Sequence, residues 1–264
     1  MPVVDAHSHI YPNKIAAKAA RSVSDYYTLP LFGEGTAEHL LGAVDRSPVT
    51  HFLVHSVALK PSNVETINSF IAQQCEEHPE FIGFATMHQD YPDMEAEINR
   101  AIELGLHGVK LHPDTQECNI DDPRFMQLYE IIEGRLPLTL HTGDYRRDFS
   151  HPRRLKKVLK AFPNLVVDAA HLGGWSIYDI GYDWLHNENC YVDTSSCALL
   201  LGARRLREFI NLYGPDRVMF GSDYPLFDPA DELRILFDGS GISQEVYEKV
   251  TWKNVERFAG VTLA

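Results

Sequence analysis

VVDAHSH, residues 3–9, is an apolar, strand-like run that ends in polar side chains, and seven further short apolar runs recur along the chain. Successive residues of a strand face opposite sides, so Asp5, His7 and His9 lie on one face. The runs are rich in β-branched residues, and each predicts a strand. They cover residues 2–8, 52–57, 81–87, 107–112, 136–141, 165–171, 189–195 and 217–223.

Segments with helical periodicity lie between these predicted strands. Thr36 precedes one segment, and Ser62 precedes the next, where Glu65 completes a capping box. Asp93 precedes a third segment, which Gly105 ends. The other predicted helices cover residues 124–133, 152–162, 202–213, 229–237 and 243–259. Strands that alternate with helices form right-handed βαβ units and a parallel sheet.

Eight such units predict one α/β domain over residues 1–264, a (β/α)8 TIM barrel. No linker rich in Pro, Gly or Ser divides the chain. The first connection, residues 10–35, is long and apolar and contains a predicted short helix at 13–22. Long connections of this kind in compact domains are often functional lids. We therefore expect a distorted barrel with a long first strand-to-helix loop.

Composition and charge exclude several classes of function. The chain is 44% hydrophobic and 23% charged, which is typical of a globular protein with a sizeable core. No apolar run approaches the roughly 20 residues that span a bilayer, and residues 1–7 lack the features of a signal peptide. The net charge of −13 opposes binding to nucleic acid. We expect a cytoplasmic protein with neither nucleic-acid nor membrane partners.

Cysteine and histidine usage points away from thiolate chemistry and towards imidazole chemistry. The four cysteines form no CxxC pair, so neither a disulfide scaffold nor a zinc-thiolate site is expected. The chain has 13 histidines, and several of them end predicted strands.

The active site of a barrel forms at the carboxyl ends of its strands. The polar residues at the predicted strand ends are His7, His9, Lys110, His112, His141, His171, Asp193, Thr194 and Asp223. Four histidines and an aspartate converging from the first, fifth, sixth and eighth strands match the ligands of catalytic zinc and related metals. A single histidine such as His141 could be an ordinary core residue. The coincidence at several strand ends predicts a divalent metal centre.

Five motifs resemble the amidohydrolase superfamily, specifically the amidohydrolase-2 branch that includes aminocarboxymuconate-semialdehyde and resorcylate decarboxylases. They are DAHSH at 5–9, LHTG at 140–143, AHLGG at 170–174, GSDYP at 221–225 and the closing WKNVERFAG. The resemblance implies that His7, His9, His141 and Asp223 hold a divalent metal, usually zinc. It implies that His171 is either a second-metal ligand or a catalytic base.

Lys110, in the motif GVKLH, leaves the number of metal ions open at one or two. In some binuclear branches of the superfamily a lysine on the fourth strand is carboxylated and bridges two metals. Lys110 could equally pair with Asp114 or hold a substrate carboxylate, because a buried amine needs a charge partner or modification.

The aspartates divide into structural and catalytic candidates. Asp5 lies deeper than the histidines, and we expect it to orient an imidazole or the backbone. Asp168 lies mid-strand and is expected to be structural. Asp223 is expected to be a metal ligand and a proton shuttle, with helix or turn capping as the alternative.

Loops after the strands supply the substrate-binding candidates. Arg146 and Arg147 could hold a substrate carboxylate, although a pair of surface arginines is an equal alternative. Trp175, Tyr26 and Tyr27 could close the pocket over a ring, and His112 could face it. The expected partner is a small molecule that carries a carboxylate; the sequence leaves open whether the chain forms a homo-oligomer.

These observations predict a metal-dependent hydrolase that uses a metal-activated water to cleave an amide, lactone or ester of a small organic acid. Asp223 would accept and pass on the proton, and His171 would steady the developing oxyanion.

The alternative within the fold is a non-oxidative, metal-dependent decarboxylase of an aromatic or unsaturated carboxylic acid. The same ligands serve both reactions, and the chain is shorter than expected for those decarboxylases, which favours the hydrolase. A TatD-like nuclease and a non-catalytic metal-binding module are alternatives of other classes. The acidic balance of the chain disfavours the nuclease.

Overall fold

The structure is a computed structural model that describes residues 1–263. Its strands form a three-stranded sheet in the order β1-β2-β3 and a six-stranded sheet in the order β4 to β9. The strands are β1 (Val4–His9), β2 (His51–His55), β3 (Phe81–Gly83), β4 (Ala85–Thr86), β5 (Val109–Leu111), β6 (Leu138–Leu140), β7 (Val167–Ala169), β8 (Tyr191–Asp193) and β9 (Val218–Met219).

Every ladder between neighbouring strands is parallel, as the alternation of strands and helices predicts. The predicted third strand, 81–87, is divided into β3 and β4 at Phe84, whose amide bonds to Val54 while that of Ala85 bonds to Gly108. No continuous ladder joins β9 to β1. Single backbone bonds do so, such as Ala6 N to Phe220 O at 2.8 Å and His9 N to Tyr224 O at 2.7 Å. The prediction of a distorted barrel is confirmed.

Helices alternate with these strands along the chain. They are α1 (Asn13–Tyr27), α2 (Ala37–Leu41), α3 (Val64–Glu77), α4 (Met94–Glu103), α5 (Pro113–Gln116), α6 (Pro123–Ile132), α7 (Pro152–Ala161), α8 (Tyr178–Leu185), α9 (Ala198–Tyr213), α10 (Pro229–Phe237), α11 (Gln244–Glu248) and α12 (Asn254–Ala259), with a π-helical turn over Lys249–Lys253.

Local sequence explains most helix starts. Thr36 and Asp93 accept hydrogen bonds from the backbone amides of His39 and Ala96, as predicted. Ser62 does not cap α3 as predicted, because Pro61–Asn63 form a 3₁₀ turn and the α-helix begins only at Val64.

The first connection contains more regular structure than its sequence predicts. The predicted short helix at 13–22 extends to Tyr27 and is 15 residues long. Its hydrophobic positions Ile15, Ala19 and Val23 line a cavity over the carboxyl ends of the strands. The buried positions of α1 are Ala16, Ala20 and Ser24, and their packing, rather than a capping side chain, stabilises the helix, since the N-cap residue Pro12 makes no side-chain cap bond.

The hydrophobic core fills the space between the strands and the surrounding helices. None of the helices within residues 1–263 is long and apolar enough to cross a membrane.

Candidate metal centre

His7, His9 and Asp223 meet where the backbones of β1 and the segment after β9 run side by side. Asp223 Oδ1 lies 3.7 Å from His7 Nε2 and 3.6 Å from His9 Nε2. Two ligands at about 2.1 Å from a tetrahedral metal are about 3.4 Å apart. The spacing of Asp223 Oδ1 from each histidine nitrogen is therefore close to that of two ligands of one metal ion.

His141 and His171 form a second pair of facing imidazoles. His141 Nδ1 lies 2.9 Å from His171 Nε2. The other nitrogen of each ring faces a backbone carbonyl: His141 Nε2 is 3.1 Å from Gly143 O and His171 Nδ1 is 2.9 Å from Ser195 O. If both rings donate to these carbonyls, two lone pairs face each other, and a cation between them relieves that repulsion.

The ring of His7 is also oriented by an acceptor, which bonds to the nitrogen that faces away from Asp223. Its Nδ1 lies 2.7 Å from Asp193 Oδ2, and both side chains are fully buried. Asp193 also accepts hydrogen bonds from Ser195 and from the amide of His171. One carboxylate thus orients the ligand candidates of two different strands, which is typical of groups that support metal ligands.

Lys110 contacts the first set of ligand candidates. Its Nζ is 2.9 Å from His7 Nε2, and the residue is fully buried. Burial lowers the pKa of Lys110 to about 8, against the opposing effect of Asp193, Asp223 and Asp168. Lys110 on β5 pairs in register with Thr139 on β6, which in turn pairs with Asp168 on β7. Burial raises the pKa of Asp168 well above its ordinary value.

The site holds neutral imidazoles, the form that binds metals. Burial lowers the pKa values of His7, His9, His112 and His141 well below 6.5, and the positive charge of Lys110 or of a neighbouring histidine adds to that effect.

His112, Asp114 and His141 form a further buried group whose ligand atoms lie within 4.8 Å of one another. The ring of His112 stacks on that of His141 with the centroids 3.9 Å apart, and its Nε2 is 2.7 Å from the hydroxyl of Tyr27. Asp114 Oδ2 is 3.6 Å from His141 Nε2, and burial raises the pKa of Asp114 to about 7. Lys110 thus contacts His7, whereas Asp114 lies beside His141, and the two residues do not form the ion pair that the sequence allowed.

A cavity of about 640 Å³ opens above this centre. His9, His141, His171 and Asp223 form its floor, together with His112 and Asp114. Its walls are mainly apolar and come from α1, α3 and the loops after the strands, including Ile15, Val23, Tyr26, Tyr27, Ile67, Phe70 and Trp175. The cavity volume is in the range of small-molecule sites.

Of the predicted substrate-binding residues, Tyr26, His112 and Trp175 line this cavity, while neither arginine does. Arg146 donates to the Asp144 carboxylate at 2.7 and 2.9 Å and to the Tyr26 carbonyl at 2.8 Å. Its guanidinium also lies over the rings of Tyr26 and Trp175. No contact supports a carboxylate-binding role for Arg146 or Arg147; Arg146 instead joins α1 to the loop after β6.

Asp5 orients the backbone, as expected. Its carboxylate accepts bonds from the amides of His7 and Ser222 at 3.1 and 2.9 Å and from the hydroxyls of Ser8 and Ser222. Asp5 thereby fixes the segment that carries Asp223 against β1.

Sequence reasoning missed His55 and the role of Asp193 in the site, and it placed Tyr27 at the pocket without its hydroxyl contact to His112. His55 ends β2, where the run FLVHSV carries the same strand-end histidine signal as the ligand candidates. Asp193 was recognised at a strand end but given no role. The hydroxyl position of Tyr27 depends on the packing of α1 and has no signal in the sequence.

The family profile of the amidohydrolases, the Amidohydro_2 group, matches residues 4–260. The chain belongs to this family. The resemblance read from its five motifs is thus confirmed. Among curated protein sequences, none gives a significant match to this amidohydrolase.

Solved structures with the same fold include two decarboxylases. A TIM-barrel protein of Bordetella bronchiseptica has a TM-score of 0.76 at 19% identity, covering 99% of this chain and 100% of that chain. A dihydroxybenzoic acid decarboxylase of Polaromonas sp., with bound manganese and 2-nitroresorcinol, has a TM-score of 0.75 at 17% identity, covering 100% and 98%. A 5-carboxyvanillate decarboxylase of Sphingomonas paucimobilis has a TM-score of 0.73 at 19% identity, and the match covers 99% of each chain. These likenesses show the barrel fold of this amidohydrolase.

Proposed function

We propose that the protein is a metal-dependent decarboxylase of an aromatic or unsaturated carboxylic acid. The observation that carries this proposal is the placement of the ligand candidates His9, His141, His171 and Asp223 on the floor of a mainly apolar cavity. Such a cavity can bury an apolar ring while its carboxylate meets the polar floor. The names of the two decarboxylases with the same fold support this reaction over the hydrolysis that the sequence favoured.

The length of the chain does not oppose this proposal. The chain was expected to be shorter than such decarboxylases, yet the structural match spans 98% and 99% of the two decarboxylase chains. Hydrolysis as the main activity is not confirmed.

We propose that His7, His9 and Asp223 hold one divalent ion, and that His141 and His171 can hold a second beside Lys110. The atom spacings given above fit these two sets. Manganese, which the Polaromonas decarboxylase binds, and zinc are the candidates. A divalent ion here would supply positive charge that binds and polarises the substrate carboxylate.

The residues of the floor have distinct proposed roles in decarboxylation. The carbon that loses CO₂ takes up one proton, so the enzyme needs a proton donor beside it. Asp223 and His171 line the cavity and are the proposed donors, His171 only where no second ion occupies its Nε2. Asp223 accepts a hydrogen bond from the Ser196 hydroxyl, which fixes its carboxyl group. His171 is fixed by Ser195.

The proposed substrate is a small carboxylate-bearing molecule with a flat apolar body. Tyr26, Tyr27 and Trp175 provide aromatic walls, and no arginine of the described chain lines the cavity. The carboxylate would therefore be bound by the metal centre rather than by a guanidinium.

Replacement of Asp223 tests the proposal. We expect Asp223→Asn to lower CO₂ release from hydroxylated benzoates at least about 100-fold, because it removes both a proton carrier and a ligand charge. Metal content, measured by elemental analysis, should fall as well. Asp45→Asn, at an exposed position, is the matched control and should retain both. Unchanged turnover and metal content in Asp223→Asn would contradict the assignment.

Hydrolysis of an amide, lactone or ester remains the second candidate. The observation in its favour is the pair of facing nitrogens of His141 and His171 beside Lys110, which provides for a second ion that decarboxylation does not require. A panel of amides and lactones, assayed beside the benzoates with metal stoichiometry, separates the two reactions. Two ions per chain and turnover of the panel alone would favour hydrolysis.

A further inference from the structure

His55 is a buried histidine beside the metal centre that neither the family motifs nor the proposed mechanism uses. It ends β2, and its backbone pairs in register with that of His9 on β1. Its side chain is fully buried, and neither ring nitrogen has a hydrogen-bond partner among residues 1–263. Burial of polar nitrogens without partners is unfavourable, so a ligand that is not part of the protein chain would stabilise the ring.

The ring of His55 faces the two histidines of β1. Its centroid lies 4.4 Å from that of His9 and 4.8 Å from that of His7, with interplanar angles of 83° and 79°. One ring nitrogen from each of these three histidines lies within 4.8 Å of the other two. Three imidazoles from two adjacent strands therefore converge on one point.

No carboxylate lies within hydrogen-bonding distance of either ring nitrogen of His55 among residues 1–263, so a buried ion pair does not satisfy the ring. A buried imidazole with a free lone pair is suited to bind a cation.

We propose that His55 is a further ligand of the metal ion held by His7, His9 and Asp223. This proposal rests on the metal centre of the proposed function. Four protein ligands would fill a tetrahedral ion such as zinc completely, whereas an octahedral ion would retain two open positions for substrate. His55 therefore selects for a six-coordinate divalent ion such as manganese as the active metal. The alternative is that His55 only packs against the faces of the two rings.

The test is the metal affinity of His55→Phe, measured on the full chain by competition with a chelator for Mn²⁺ and for Co²⁺. We expect the affinity to fall at least about 10-fold, in line with the loss of a ligand or of its support. The visible absorption of the Co²⁺ protein should change as well, because the ligand set changes. Both readouts are independent of turnover.

Two further variants make each outcome decisive. His51→Phe is the matched control, since His51 lies on the same strand, is half-buried and bonds to Thr50 at 2.8 Å; its metal affinity and Co²⁺ spectrum should be unchanged. His9→Phe is the positive control and should lose affinity. If His55→Phe does not fold, His55→Asn is measured in the same way.

The outcomes separate the two proposals. Loss of affinity in both His9→Phe and His55→Phe supports the assignment of His55. Loss in His9→Phe with an unchanged affinity and Co²⁺ spectrum in the His55 variant overturns it and leaves the proposed function intact. Unchanged affinity in both variants would show that the metal centre itself is wrongly placed.

Discussion

At the scale of single residues, each imidazole is oriented by a hydrogen-bond acceptor beside the ring nitrogen that faces away from the metal centre. Asp193 orients His7, and the carbonyls of Gly143 and Ser195 orient His141 and His171. These acceptors direct the inner nitrogens towards one another. The sequence gives the residue types, but hydrogen bonds between distant segments select which nitrogen faces the site.

Tyr27 offers a test of the residues above the metal centre. Its hydroxyl lies 2.7 Å from His112 Nε2 and 3.4 Å from His141 Nε2 at the cavity. Removal of a hydrogen bond to a group beside the reacting substrate costs about 1–1.5 kcal/mol. We therefore expect Tyr27→Phe to lower kcat/KM about 10-fold in steady-state assays.

Tyr91→Phe is the control for Tyr27→Phe. The Tyr91 hydroxyl donates to Glu65 at an equal distance of 2.7 Å, but it does not line the cavity. Its kcat/KM should remain within about 2-fold of the wild-type value. Equal losses in the two variants would mean that Tyr27 acts through folding alone.

At the scale of elements, the loops after β6 and β7 pack on each other through glycine. Gly143 has φ +80°, and a Cβ atom placed there would lie 2.6 Å from the Cα atom of Gly174. Trp175 N bonds to Thr142 O at 2.7 Å across the same contact. This close backbone approach sets the position of Trp175 over the cavity.

Gly143→Ala is expected to destabilise the protein more than Gly105→Ala. Gly105 has a similar φ, +77°, but a Cβ atom there would meet nothing within 4 Å. The left-handed conformation costs either alanine about 1–2 kcal/mol, and overpacking adds about 1–3 kcal/mol at Gly143 only. Urea unfolding measures the two free energies; equal losses would contradict the close contact.

At the scale of the whole molecule, a buried carboxyl group makes the stability of the barrel depend on pH. Burial raises the pKa of Glu232, on α10, from 4.5 to about 8, and the charges of Asp5, Asp231 and Asp223 add to the shift. The unfolded chain loses this proton at a lower pH than the folded protein does. Stability is therefore highest below pH 4.5 for this group and falls as the pH rises to about 8.

Glu232→Gln should remove this dependence. We expect the variant to gain stability over the wild type progressively between pH 5 and pH 8, with a rise in Tm of about 2–4 °C for each kcal/mol gained. Thermal unfolding at several pH values measures the gain, and Glu103→Gln, at an exposed position, is the control. If Glu232→Gln raised the stability equally at every pH, the ionisation of buried Glu232 would not be the cause of the gain.

The closure of the barrel determines which residues of the chain form one site. Asp5 and Asp223 are far apart in sequence, yet Asp5 bonds to Ser222 N at 2.9 Å because the first strand lies beside the last. The same closure brings Lys110 to His7 and Asp193 to His7. Parallel strands present their carboxyl ends at one edge, so the strand-end residues meet there.

The sequence by itself determined the order of strands and helices, the barrel, and the set of strand-end residues from His7 to Asp223. These depend on local periodicity and on the geometry of parallel sheets, both of which are readable along the chain. It also contained the motifs of the family.

Only the tertiary structure decided how those residues are used. It extended α1 to Tyr27, joined Arg146 to Asp144 behind the aromatic wall of the cavity, and placed the unpartnered ring of His55 beside His7 and His9. Each of these depends on contacts between segments far apart in the chain. Such contacts are selected by packing and by the pairing of buried polar groups, which no local pattern specifies.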